Sequence, residues 1–73
     1  MRVKGQVQYS PLGFGTWVLQ TDSGETYELY NPPASIQKQG LRVEVEGRVR
    51  EDIMTVAMVG RVLEVIMVTA AGE

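Results

Sequence analysis

Seventy-three residues with no cysteine, no histidine and a formal charge of −2 confine this chain to one small domain without disulfides or thiolate chemistry. The missing histidine removes the commonest metal ligand and the commonest general base. Seven Lys/Arg against nine Asp/Glu exclude a generally basic polyanion binder and leave room only for a local basic patch.

Residues 2–9 alternate, with Val3, Gly5, Val7 and Tyr9 on one face and Arg2, Lys4, Gln6 and Gln8 on the other, the period of a half-buried strand. Gly5 in mid-strand marks a bend or a close backbone approach. A loop punctuated by Pro11, Gly13 and Gly15 follows, and residues 16–21 form a second strand with Trp17 and Leu19 on the core face. Asp22-Ser23-Gly24 is a hairpin turn, the glycine supplying a positive φ. Residues 25–30 then return as a third strand, its Tyr27 and Leu29 completing one wall of the core.

Pro32 and Pro33 suit a first helical turn, so residues 31–40 are expected to form a short helix with Ile36 plugging the barrel end and Gly40 stopping it. Leu41, Val43, Val45, Gly47 and Val49 alternate with charged residues in the cleanest strand of the chain. Gly47 falls in its inward series, so a side chain there would enter the core. Glu51-Asp52 turns the chain, residues 53–59 return, and residues 61–68 make a closing strand. The longest apolar run, residues 62–71, is interrupted by Glu64 and is too short to span a bilayer. The start reads as strand rather than secretion signal, so a cytoplasmic protein without a membrane role is expected. Residues 1–69 are assigned to the domain and 70–73 to a disordered tail.

The order of these elements, three strands, a short helical connector and two or three more strands, predicts an all-β, five- to six-stranded Greek-key barrel. The glycine-bent first strand, the hairpin, the glycine-stopped helix and the run from Gly40 to Gly47 resemble the OB-fold superfamily over nearly the whole length. The chain is similar to small stand-alone bacterial OB-fold proteins of unassigned function. A narrower resemblance, over about thirty residues, is to cold-shock domains. Gly5-Gln6-Val7 and Gly13-Phe14-Gly15 match that family's motifs. Leu12 replaces its lysine and Thr16 its second phenylalanine, so most of the base-stacking platform that the family uses is missing.

The OB resemblance implies a non-catalytic binding module, and single-stranded RNA or DNA is the leading ligand class. Its candidate contacts are Phe14 in the first loop, Tyr9 and Tyr30 flanking a groove, and Arg2 with Lys4 on the first strand. Arg42, Arg48 and Arg50 share a face with Glu44 and Glu46, which reads as a self-neutralising charged surface. The alternative is a protein-interaction or self-associating module. Val65, Ile66, Met67 and Val68 are apolar in succession, and parity with Glu64 directs Ile66 and Val68 outward as interface candidates. No nucleophile–base pair, phosphate loop or ligand series is visible, so no enzyme activity, metal or cofactor is expected.

Overall fold

The computed structural model describes residues 1–11, 15–53 and 60–72. Five strands, β1 (Arg2–Ser10), β2 (Thr16–Thr21), β3 (Thr26–Tyr30), β4 (Arg42–Arg50) and β5 (Arg61–Gly72), close into a barrel in the order β1-β2-β3-β5-β4. This all-β architecture is consistent with a small OB-type barrel. The returning run expected before β5 falls mostly on residues 54–59, outside the described residues.

Closure depends on β1 serving two neighbours. Its first half pairs with β4 (Arg2↔Glu46 through Gln6↔Arg42), and its second half pairs with β2 (Gly5↔Thr21 through Ser10↔Thr16). The two ladders overlap at Gly5 and Gln6, where the strand passes from one side of the barrel to the other. A Cβ at Gly5 would run into the carbonyl oxygen of Gln20, so the close approach expected there is real and requires glycine.

The inward rows supply the core: Val3 and Val7 from β1, Leu19 from β2, Tyr27 and Leu29 from β3, Val43 and Val45 from β4, and Leu63 from β5. Each such side chain contributes roughly 1.5–3 kcal/mol when fully buried. The expected connector helix is reduced to one 3-10 turn, Ala34–Ile36. Pro33 precedes it in extended conformation, and no side chain caps it, so nothing propagates the turn. Its function survives the reduction, because Ile36 is completely buried in the core. The chain then rejoins β1 through Gly40 N–H to the Val7 carbonyl and Val7 N–H to the Leu41 carbonyl, both 2.7 Å.

The β4–β5 ladder departs from simple alternation. Val45 faces Val68 while Glu44 faces Ala70, so Thr69 is an extra residue on β5; Glu46 faces Met67 while Gly47 faces Val65, so Ile66 is another. These two bulges reset parity. Val65 and Val68 both pack against the core, while Ile66 and Met67 are 60% and 55% exposed. The outward assignment therefore holds for Ile66 and is corrected for Val68, which exchanges places with Met67. Of the residues assigned to a disordered tail, Ala70 to Gly72 continue β5, and Glu73 lies outside the described residues. Ala70, Ala71 and Gly72 pair with Glu44, Val43 and Arg42, and the Thr69 hydroxyl donates to the Glu44 carbonyl at 3.0 Å.

Gly47 is buried, and a Cβ there would meet the Glu64 carbonyl oxygen and the Leu63 side chain at 3.3 Å. Gly47→Val is expected to lower unfolding free energy by about 1–3 kcal/mol through overpacking. Chemical denaturation checks this, and an unchanged midpoint would place the residue outside the core.

Candidate functional site

The two tyrosines expected to flank a groove occupy opposite faces of the barrel wall. Tyr9 continues the inward row of β1, and its ring meets Trp17 edge-on, with centroids 5.2 Å apart and planes at 69°. Its backbone N–H donates to Gln39 Oε1 at 2.7 Å, and its phenol lies where a Cβ of Gly15 (φ +90°) would sit. Tyr9 thus leans on the half-buried Trp17 at the rim of the barrel, an aromatic contact of roughly 0.5–1.5 kcal/mol, while remaining 49% exposed. Tyr30 stands in the outward row of β3, opposite Glu64 of β5, and is 40% exposed. Phe14 lies outside the described residues.

Arg2 and Lys4 are together on the outer face of β1, as expected, but β4 meets them with acids. Arg2 lies 3.8 Å from Glu44 and 3.6 Å from Glu46. The other four arginines are engaged in the same way. Arg42 makes a two-pronged bond to Asp22 (2.9 Å to each oxygen), Arg61 reaches Glu51 at 3.2 Å, and Arg48 reaches Glu64 at 3.2 Å. Arg50 joins Glu64 at 2.9 Å and grips both oxygens of Asp52 at 2.8 and 2.9 Å. The expected self-neutralising face exists, with its partners drawn mainly from neighbouring strands and turns. Lys4 and Lys38 are the two basic side chains without a carboxylate partner among the described residues.

Three features were not read from sequence. The first is the bond from Arg42 to the β2–β3 turn, which no spacing rule announces. The second is an outer row, Val18, Glu28 and Val62, that the ladders align and that is buried despite its outward parity. Val18 and Val62, apolar side chains at outward positions, were the available signal. The third is a shallow trough of about 330 Å³ over β1, β4 and β5, lined by Lys4, Arg42, Glu44, Ala70, Ala71 and Gly72. A second hollow of about 230 Å³, lined by Lys38, Gln39, Gly40 and Leu41, joins it at Arg42 and Gly72. Ile66 and Met67 lie along β5 just beyond the trough. Met67 shares a cross-strand row with Glu46 and Arg2, next to the row of Ala70, Glu44 and Lys4.

Among the described residues, no group of three or more His, Cys, Asp or Glu is placed to hold a metal, and no buried side-chain polar atom lacks a hydrogen-bond partner. No helix is long and apolar enough to cross a membrane. Among the described residues, what remains is a small closed β-barrel whose inward rows pack into one core, with hollows at its surface. The chain belongs to the family described as "Protein of unknown function (DUF5818)", which it matches over residues 2–71. No curated protein and no solved structure matches it.

The Arg50 cluster carries a pH dependence. Hydrogen bonds from Arg50, then from its own backbone N–H, hold the Asp52 carboxyl down to about 2. Those from Arg50 and then Arg48 hold Glu64 below the ordinary carboxylate range. Depressed carboxyls stabilise the fold fully above their unfolded values near 4, and that contribution disappears as pH falls toward about 2. Asp52→Asn is therefore expected to lower the melting temperature at pH 7 and to lower it much less at pH 2, where the carboxyl is about half protonated. A deficit of equal size at both pH values would remove the ion pair as its cause.

Proposed function

We propose that this chain is a non-catalytic, OB-type binding module whose partner is a protein, engaged through the outer face of β1, β4 and β5. One observation carries the choice of partner. All five arginines are already matched by carboxylates of the same chain, while Ile66 and Met67 remain uncovered. The individual surface pairs are weak, and a phosphate could compete for any one guanidinium. The carboxylates stay in place, however, and cancel the positive field that drives polyanion binding. Adjacent exposed apolar side chains within a charged surround have the character of a protein contact. The absence of histidine and cysteine and the filled barrel support the non-catalytic part of the reading.

Single-stranded nucleic acid is the second reading, favoured by the exposed Tyr30 and by Lys4 at the margin of the β1–β3 face. Titration of ¹⁵N-labelled protein with short DNA and RNA oligomers at low salt separates the two. The protein reading expects no saturable shifts on Lys4, Gln6, Gln8 or Tyr30. It also expects nuclease-resistant capture of a protein from the source cells that is lost in Ile66→Glu/Met67→Glu. Saturable oligomer shifts on that face, weakening with salt, would transfer the function to nucleic acid.

A further inference from the structure

We propose that the trough over β1, β4 and β5 receives an extended acidic segment of the partner protein, with Lys4 and Lys38 as its two charge contacts. The inference rests on the protein-binding reading and names the chemistry of the ligand. Both basic side chains that lack a carboxylate partner among the described residues lie here: Lys4 lines the trough, and Lys38 lines the neighbouring hollow that shares Arg42 and Gly72 with it. Of the trough's other charges, Arg42 is held by Asp22, and Glu44, which stands opposite Lys4 in the β1–β4 ladder, lies 3.8 Å from Arg2. The lysines therefore give the trough a positive excess on a chain whose net charge is −2.

The floor favours an extended backbone. Ala70, Ala71, Gly72 and Gly40 carry little or no side chain, so a strand-like ligand can lie close to the sheet. Alternate side chains of an extended ligand share a face, so carboxylates at every second position can turn together toward the lysines. Ile66 and Met67, beyond the Lys4 end, then take an apolar side chain of the same segment.

A second copy of the chain is a poor occupant. Asp22, Glu44, Glu46, Glu51, Asp52 and Glu64 already face arginines and Glu28 is buried, which leaves Glu25 as the one exposed carboxylate without a basic partner among the described residues, too few to answer two lysines. Strand pairing between copies is also discouraged, because the bulges at Ile66 and Thr69 interrupt the regular edge of β5.

The probe is an acetylated, amidated decapeptide, Leu-Glu-Ser-Glu-Thr-Glu-Ser-Glu-Thr-Leu, with its all-Gln counterpart as control, titrated into labelled protein at low salt. The proposal expects saturable shifts on Lys4, Arg42 to Glu44, Ala70 to Gly72 and Lys38 to Leu41, absent with the Gln peptide and weakened by salt. Lys4→Gln/Lys38→Gln should weaken binding roughly tenfold while leaving the melting temperature unchanged. Equal binding of both peptides, shifts confined elsewhere, or full affinity in the double variant would each overturn the proposal. So would displacement of the peptide by oligothymidylate, or by a dimer detected in sedimentation. Loss of peptide binding with retained Ile66- and Met67-dependent capture would remove this inference alone. Loss of both would remove the protein-binding reading with it.

Discussion

β5 is held along one edge by β4 for its whole length and along the other by β3 only from Arg61 to Glu64. Beyond Glu64 the barrel narrows to the β1–β4–β5 side, because β3 ends at Tyr30. Asn31 there takes a positive φ of 59°, and Pro32 and Pro33 have no N–H to offer a ladder. The remaining half of β5 must satisfy the core through β4 alone. It does so by inserting Ile66 and Thr69 as bulges, so that Val68 turns inward to join Val65 while Ile66 and Met67 stay outside. The local geometry of one ladder thus determines both how the core is filled and which apolar side chains the surface presents.

The same ladder organises the charges. Closing β4 against β1 places Arg2 beside Glu44 and Glu46, and closing β4 against β5 places Arg48 and Arg50 beside Glu64. Opposite charges across adjacent strands stabilise pairing modestly and suppress the like-charge contacts that a slipped register would create. Arg50 also holds Asp52, tying the residues that follow β4 back to the sheet. A chain that commits its arginines to its own architecture retains little free positive charge for a partner. The two lysines left over become informative because they line neighbouring hollows that share Arg42 and Gly72.

Much of the barrel was legible because period-two patterning, turn glycines and the position of the connector agree with one another. Gly5, Gly24 and Gly47 each mark a place where only glycine fits or is favoured, and Ile36 as the barrel plug follows from its being the sole large apolar residue in the connector. The failures share one cause. Alternation assumes an unbroken register, so it cannot anticipate that Val68 turns inward after a bulge at Ile66, or that a run of alanine and glycine continues a strand by pairing with β4. The site was less legible than the fold. Arg2 was correctly placed on the outer face of β1, yet its acidic partners belong to a strand forty residues away in sequence. Tyr9 and Tyr30 looked equivalent as strand-end aromatics until their opposite parities were seen.

The bulged register of β5 is tested most directly by solvent accessibility of four side chains. In methyl-labelled protein exposed to a soluble paramagnetic agent, the methyls of Ile66 and Met67 are predicted to broaden strongly, while those of Val65 and Val68 broaden least. Strong broadening of Ile66 and Val68 with protection of Val65 and Met67 would mean uninterrupted alternation along β5, and would contradict both the core packing and the surface derived from it.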